Sequence, residues 1–231
     1  KKLNSTFITP ISKTFADYRN KLELTINQIN IIKDYQKKYD LKVIFSALDY
    51  KSYSELKKFN FKFFKIPSTI SKFKNFIQFM SKEKLPEIYI STGMTNDKYV
   101  IDIINKFKKF KKLNLLHAIS CYPTKFIDIN FNIISYYKNL SLKYKNIIPG
   151  YSSHDIGSLG CMMAVTAGAQ IIEKHVKIGI TDWMHFDDTA IDANKDLPNF
   201  IRDVNKAYFS MGNGKKKIYK FEHHKYSSRG K

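Results

Sequence analysis

The sequence predicts an α/β fold built on a parallel sheet. Six short apolar segments rich in β-forming residues alternate with longer segments whose apolar residues recur at helical spacing. Strict alternation of this kind is typical of parallel sheets with right-handed crossovers. A doubly wound Rossmann-like sheet is the main alternative, but no GxGxxG motif follows any of the six segments.

The elements follow in order along the chain. Residues 1–19, which include Pro10, are mixed in character and are predicted to be irregular. An amphipathic helix is predicted over 22–39, opened by Thr25 or by residues 19–21. The strands are predicted at 42–48, 61–67, 87–92, 113–120, 146–152 and 169–175. The later helices are predicted at 52–59, 71–82, 96–109, 130–144, 157–167 and 197–211, and 218–231 reads as the start of a linker.

Length and composition are those of one globular domain. The chain has 231 residues and 43% hydrophobic content, with 18 Phe and 15 Tyr as bulky core material. It is slightly short for a complete eight-stranded α/β barrel of roughly 250 residues. The chain also begins at Lys1 rather than Met, which suggests that an upstream part is missing.

The net charge of +20 raises the question of an anionic partner. The basic residues are almost all lysines scattered through every helical segment, and recognition of nucleic acid needs them clustered on one face. We therefore expect no nucleic-acid partner. A phosphorylated small substrate would still gain from the positive field.

Cysteine content and hydropathy bear on the compartment. Only two cysteines are present, which argues against a disulfide scaffold and for a reducing environment. No apolar run reaches 18 residues, and the N-terminus has no signal-peptide pattern. The sequence thus predicts a cytoplasmic protein with no membrane partner.

Two histidines stand where predicted strands end. His154, in the segment GYSSHDIG, comes just after one predicted strand, and His175 ends the next predicted strand. The two strands and the helix between them form a β-α-β unit. In a parallel barrel the carboxyl ends of successive strands converge on one mouth, so the two imidazoles could share a metal ion. A hydrogen-bonded structural role is the alternative, and the spacing alone does not decide between them.

Hydroxyl groups and one lysine lie at the ends of the other strands. Lys65 closes a phenylalanine-rich strand, where it needs a partner or solvent. Such groups suit a phosphate, aided by the backbone N–H of Gly93, although each serine could instead cap the following helix. The hydroxyl residues at these positions are Ser68, Ser91, Thr92, Ser120, Tyr122 and Ser152.

The amino-acid sequence of these segments resembles that of the N-acetylneuraminate (sialic acid) synthase family. GYSSHDIG is followed by AxxxGAxxIEKH, and KIPS, STGM and SCYPT match further blocks of that family from about Arg19 to Tyr226. The resemblance implies a TIM-type (β/α)8 barrel in which the six segments correspond to strands three to eight. It further implies that the first two strands and the C-terminal antifreeze-like domain are absent from a single barrel domain over 1–231.

The resemblance also implies roles for the matched residues. The histidines at 154 and 175 would bind the catalytic divalent metal, Mn²⁺ or Mg²⁺, and leave positions of an octahedral ion open for water and substrate. Phosphoenolpyruvate would be held by four residues, and two would lie against the substrates. The first group is Lys65, Ser68, Ser91 and Ser152; the second is Ser120 and Tyr122.

Past His175 the chain departs from the family pattern GPDHxAS. The best fit places Asp187 on the aspartate of the substrate and metal shell, but one inserted residue leaves Asp188 as an alternative. Lys65, Tyr122 and Asp187 are then the predicted catalytic residues. Among the other histidines, His185 is expected to be structural or to face the substrate, His117 to be a hydrogen-bonded core residue, and His223 and His224 to have no role.

The implied activity is condensation of phosphoenolpyruvate with an N-acylated hexosamine such as N-acetylmannosamine, with release of phosphate. A legionaminic or pseudaminic acid type synthase is one alternative, favoured by the departure at residues 185–188. A non-catalytic or partner-dependent barrel fragment is another. Head-to-tail or domain-swapped homodimers are what the resemblance suggests for assembly.

Overall fold

The protein contains a six-stranded parallel sheet flanked by helices. The computed structural model describes residues 6–181, 183–219 and 222. The sheet strands lie side by side in sequence order, and each pairs in parallel with the next. They are β3 (Phe45–Ser46), β4 (Phe63–Ile66), β5 (Glu87–Ser91), β6 (Lys112–Ala118), β7 (Ile147–Ser153) and β8 (Ile171–Lys174).

Helices connect these strands and cover one face of the sheet. The helices of the described chain are α1 (Phe15–Leu22), α2 (Ile26–Lys38), α3 (Tyr50–Lys58), α4 (Lys74–Met80), α5 (Asp97–Lys106), α6 (Phe126–Ile129), α7 (Asn132–Lys143), α8 (Leu159–Ala167) and α9 (Leu197–Ser210). Short 3-10 turns occupy Ser68–Ile70 and Asp187–Thr189. The parallel sheet predicted from the β-α alternation is confirmed.

The sheet is curled like the wall of a barrel. Lys65 on β4 contacts Glu173 on β8, although three strands lie between them. Neighbouring strands are about 4.8 Å apart, so four steps across a flat sheet would separate the two backbones by about 19 Å. A lysine and a glutamate could not meet over that distance. Both side chains therefore lie on the concave face of a six-stranded part of a TIM-type barrel.

The convex face carries the main core. Residues that alternate with the concave ones point towards the helices and are excluded from solvent. Ile88, Ile90, Leu113 and Leu115 are each 0% exposed and pack with aromatic residues of α3 to α5 and α7. Because the helices shield this face, the short strands can be almost continuously apolar.

The N-terminal segment is ordered where the sequence predicted irregular chain, so that prediction was wrong for residues 6–19. β1 (Thr6–Thr9) and β2 (Ser12–Thr14) form an antiparallel hairpin. The Thr9 and Ser12 hydroxyls are 2.7 Å apart across its turn, and Thr14 caps α1 by accepting a hydrogen bond from the Asp17 N–H. Local hydrogen bonds of side-chain hydroxyls therefore help to order this segment, although its sequence has no regular apolar pattern.

The helix predicted over 22–39 is confirmed as α2, whereas most of α1 lies in the segment predicted to be irregular. α2 begins after Thr25, which forms a capping box with Gln28, so Thr25 is the correct start of the two that the sequence offered. The predicted edge strand over 42–48 shortens to the two residues of β3, and the helix predicted over 71–82 begins only at Lys74 because a 3-10 turn precedes it. The predicted linker lies outside the described residues except for 218, 219 and 222.

The last described strands form a small separate pair. β9 (Val176–Lys177) and β10 (Ile191–Asp192) are parallel and follow β8 at the carboxyl end of the sheet. They hold the loop residues 178–181 and 183–190 beside the sheet mouth. Among the described residues, no helix has both the length and the apolar content needed to span a membrane.

Candidate active site

The carboxyl ends of the strands bring together a lysine, a serine and a glutamate on the concave face. The Lys65 amine contacts the Glu173 carboxylate, and the Ser152 hydroxyl donates to the same carboxylate oxygen at 3.1 Å. The Lys65 side chain is 14% exposed and that of Glu173 is 38% exposed. A partly enclosed amine at this position can bind an anionic ligand that enters from the mouth.

The two histidines predicted as metal ligands lie next to each other. The rings of His154 and His175 have their centroids 5.6 Å apart and are inclined by 27°. His154 Nδ1 donates to the Ile119 carbonyl at 2.6 Å, so its Nε2 presents a lone pair, which lies 3.2 Å from the Tyr122 hydroxyl. The geometry thus brings His154, His175 and Tyr122 into one cluster.

Burial keeps both imidazoles in the neutral form. It lowers the pKa of His154 below its ordinary value, and it lowers the pKa of His175 to about 4, with the neighbouring His154 adding to the effect. Neutral imidazoles have lone pairs available for a metal at neutral pH. Within the described chain, however, no group of three or more His, Cys, Asp or Glu side chains is arranged around a common point. Binding of a divalent metal by this pair therefore stays a prediction.

An aromatic wall closes one side of this cluster. Phe186 stacks on His175 with ring centroids 4.5 Å apart and an angle of 10°. His185 is exposed and meets the Tyr122 ring edge-on at 5.1 Å. The loop between β9 and β10 therefore places His185 beside Tyr122.

Asp187 belongs to a neighbouring set of contacts. Its carboxylate contacts the Lys177 amine and the Thr181 hydroxyl. Hydrogen bonding from Lys177 is the main reason that the pKa of Asp187 is lowered. The described contacts of Asp187 do not include either imidazole, so its predicted place in the metal shell stays a prediction. Asp188, the alternative, is exposed.

Ser68, predicted to hold phosphate, and Ser120, predicted to lie against the substrates, both approach Gly93. The Gly93 N–H donates to Ser68 Oγ at 3.0 Å, and the buried Ser91 hydroxyl has no hydrogen-bond partner among the described residues. A Cβ on Gly93 would lie 2.6 Å from Ser68 Oγ and 2.7 Å from Ser120 Oγ. Glycine is therefore what allows these two hydroxyls to approach the backbone at the same point. We name Ser68, Ser91, Gly93 and Ser120 the serine cradle.

Thr92 has a structural role instead. Its hydroxyl donates to the Leu116 carbonyl at 3.1 Å and accepts from the Tyr137 hydroxyl at 2.8 Å. His117 is a core residue, as predicted, because it is 6% exposed and bonds the Ile129 carbonyl at 2.5 Å. His223 and His224 lie outside the described residues.

Sequence reasoning missed Glu173 and the polar network behind the histidines. Glu173 lies two residues before His175, so the two-residue period of a strand puts it on the concave face; a carboxylate inside an apolar strand was the available signal.

On the other face of the same strands, Asp155 is completely buried and accepts hydrogen bonds from Tyr151 at 2.6 Å and Ser153 at 2.7 Å. The Lys174 amine bonds the Ser153 hydroxyl at 2.8 Å and contacts the Asp155 carbonyl. These bonds tie the end of β7 to that of β8.

Comparison with known proteins identifies the family. The profile of the NeuB family matches residues 4–216, which is most of the chain. The chain belongs to the NeuB family. The resemblance to sialic acid synthases drawn from the sequence blocks is confirmed, and named members of this family are synthases of nonulosonic acids.

Several NeuB relatives are similar over long stretches. The uncharacterized protein MJ1065 of Methanocaldococcus jannaschii is 32% identical over 91% of this chain and 61% of its own length. Pseudaminic acid synthase of Campylobacter jejuni is 34% identical over 69% of this chain and 46% of its own length. The human N-acetylneuraminate-9-phosphate synthase is 26% identical, over 89% and 56%. The chain thus spans about half to three fifths of the length of these relatives.

Solved structures agree with the fold. N-acetylneuraminic acid (sialic acid) synthetase from Leptospira borgpetersenii, in complex with citrate, superposes with a TM-score of 0.74 at 25% identity. The match covers 86% of this chain and 68% of that one. A spore coat polysaccharide biosynthesis protein E from Chromobacterium violaceum has a TM-score of 0.73 at 19% identity and supports the fold alone.

Proposed function

We propose that this chain carries the catalytic barrel of a nonulosonic acid synthase, which condenses phosphoenolpyruvate with an N-acylated hexosamine such as N-acetylmannosamine. The observation that supports the proposal is the convergence of an amine, the serine cradle and two neutral imidazoles at one end of one sheet. These are an anion pocket and a Lewis-acid site, which the two substrates need side by side.

The reaction has three bond changes. The methylene carbon of phosphoenolpyruvate bonds to the aldehyde carbon of the open-chain sugar, and the aldehyde oxygen becomes a hydroxyl. Water adds to the resulting cationic carbon of the former enol and gives one proton to the aldehyde oxygen. The bond from that carbon to the phosphate oxygen then breaks as the new hydroxyl loses its proton to the phosphate and becomes a keto group. Inorganic phosphate leaves, and no protein nucleophile is needed.

Lys65 and the serine cradle hold the phosphoenolpyruvate. The Lys65 amine supplies a positive charge, and the hydroxyls supply short donors around it. The unpartnered Ser91 hydroxyl would gain a hydrogen-bond acceptor from the bound anion. Ser152 and Glu173 orient the Lys65 amine towards the mouth, and Glu173 offsets its charge until the substrate arrives.

His154 and His175 would hold the divalent metal, Mn²⁺ or Mg²⁺, which supplies Lewis-acid polarisation of the sugar aldehyde when bound. The hydrogen bond to the Ile119 carbonyl fixes the tautomer of His154. Tyr122 lies against both rings and orients the sugar, while Asp187 binds a sugar hydroxyl from the loop beside the mouth.

The identity of the sugar has a second candidate. Similarity to a pseudaminic acid synthase, 34% identical over 69% of this chain, and to an N,N'-diacetyllegionaminic acid synthase, 30% identical over 87%, supports this candidate. The departure around Asp187 falls where the sugar would lie. A legionaminic or pseudaminic acid type substrate is therefore our alternative proposal.

A phosphate-release assay tests the function. The full chain is incubated with phosphoenolpyruvate and a panel of N-acylated amino sugars, with and without Mn²⁺. We expect release that requires both the sugar and the metal, and the most active sugar identifies the substrate. Folded protein that binds phosphoenolpyruvate but releases no phosphate with any sugar would contradict the proposal and favour a partner-dependent barrel fragment.

A further inference from the structure

The lysines that looked scattered in the sequence gather at the end of the sheet opposite the candidate active site. In a parallel α/β fold, the last turn of each helix and the loop that follows lie at the amino ends of the strands. We name the surface formed by residues 35–45, 55–63, 77–87, 103–112 and 140–147 the basic face. It holds fifteen lysines and no arginine: Lys37, Lys38, Lys42, Lys57, Lys58, Lys62, Lys82, Lys84, Lys106, Lys108, Lys109, Lys111, Lys112, Lys143 and Lys145.

Few acidic groups balance these lysines. The basic face contains four carboxylates, and three of them already contact one of its lysines. Those three are Glu55, Glu83 and Glu87, and the fourth is Asp40. At the opposite end, residues 46–53, 66–77, 91–100, 118–129 and 153–162 contain five lysines and four aspartates. The charge of this chain is therefore strongly polarised along the strand direction.

Helix capping explains only part of this arrangement. Lysines in the last turn interact favourably with the helix dipole, which accounts for residues such as Lys57, Lys58 and Lys143. Lys108, Lys109 and Lys111 lie beyond the end of α5, are exposed, and make no ion pair with a described residue. Like charges this close repel one another, so the cluster destabilises the free protein unless an anionic partner neutralises it.

The residue types of the basic face favour a lipid surface as the partner. Two cavities among the described residues lie away from this face, one of about 560 Å³ beside Ser71 and Tyr99 and one of about 450 Å³ between α8 and α9. Arginine is favoured where nucleic-acid phosphates are bound in a bidentate fashion, whereas clustered lysines on flexible stems suit the diffuse charge of a lipid surface. Tyr39 and Leu41, 54% and 52% exposed, add apolar groups of the kind that enter a lipid headgroup region.

We propose that the basic face docks on a membrane surface rich in anionic lipids. The strand axes then lie across the membrane plane, with the basic face on the headgroups and the candidate active site turned towards solvent. Soluble substrates reach the mouth without passing the lipid. The proposal is independent of which reaction the site performs.

Vesicle sedimentation tests the docking. The full chain is mixed with vesicles of phosphatidylcholine alone, and with vesicles of phosphatidylcholine and phosphatidylglycerol. We expect binding to the second kind only, and loss of that binding in 1 M salt, where the screening length falls to about 3 Å. Binding to both kinds, or to neither, would overturn the proposal.

A matched pair of variants locates the binding surface. Each surface lysine contributes about 1 kcal/mol to binding of an anionic membrane, so the triple variant Lys108→Gln, Lys109→Gln, Lys111→Gln should partition about 100-fold more weakly. The control variant removes three exposed lysines that lie outside the basic face, Lys98→Gln, Lys125→Gln and Lys195→Gln, and should change partitioning less than about 3-fold by the same reasoning.

Circular dichroism and a thermal melt show whether both variants are folded. Equal losses in the two variants would mean that total charge, not the basic face, determines binding, and would overturn the proposal. A fluorescence competition with single-stranded oligonucleotide supplies the other contradiction, because displacement of vesicles by low oligonucleotide concentrations would make nucleic acid the partner.

Discussion

Replacement of Lys65 by methionine is the sharpest test of the anion pocket. Methionine retains most of the length and apolar stem of lysine but removes the amine that contacts Glu173. A hydrogen bond to a charged group contributes about 1.5–3 kcal/mol, so the dissociation constant for phosphoenolpyruvate should rise about 10- to 150-fold.

The same change should have little effect on stability. The Glu173 side chain is 38% exposed and keeps its hydrogen bond from Ser152, so loss of the ion pair should cost less than about 1 kcal/mol of unfolding free energy. A melting temperature close to that of the original protein would therefore separate lost binding from lost folding.

Isothermal titration calorimetry with phosphoenolpyruvate provides the measurement. Lys21→Met is the matched control, because it removes a lysine that pairs with Asp17 on α1, at 3.0 Å, away from the serine cradle. Glu173→Gln should not weaken binding, since it removes a negative charge that competes with the ligand for Lys65. Unchanged affinity in Lys65→Met would refute the assignment of Lys65 to the pocket, and equal losses in Lys65→Met and Lys21→Met would refute a local effect.

Three further predictions concern the metal, the cradle and the sheet. His154→Ala and His175→Ala should each abolish bound divalent metal in elemental analysis of folded protein, while His185→Ala should retain it; stoichiometric metal in both of the first two variants would rule out the pair as ligands. Gly93→Ala should weaken phosphoenolpyruvate binding by about 10-fold or more, because its Cβ would displace two serine hydroxyls at 2.6 and 2.7 Å, and calorimetry showing unchanged affinity would exclude the cradle. Gly150→Ala should lower the unfolding free energy by about 1–3 kcal/mol in a denaturant titration, because its Cβ would lie 2.4 Å from the Leu116 side chain; an unchanged midpoint would contradict this packing.

The sequence by itself determined the order and type of the main elements. Period-two and period-3.6 patterns are local, so Ile88, Ile90, Leu113 and Leu115 identified their strands without any knowledge of their partners. The same locality placed Lys65 and His154 at strand ends. Prediction from local patterns failed for residues 6–19, where side-chain hydroxyls rather than an apolar pattern fix the hairpin and the start of α1.

Tertiary structure alone decided which of these residues meet. Lys65 and Glu173 are 108 positions apart, and their contact depends on the curl of a six-stranded sheet. The need for glycine at position 93 follows from hydroxyls that approach from two other segments, and Asp187 meets its lysine partner only because its loop lies beside β9. The lysines of the basic face are dispersed in the sequence and become one surface only because every helix ends at the same side of a parallel sheet. Local pattern fixes what each segment becomes, whereas contacts across the fold depend on the relative placement of all the segments.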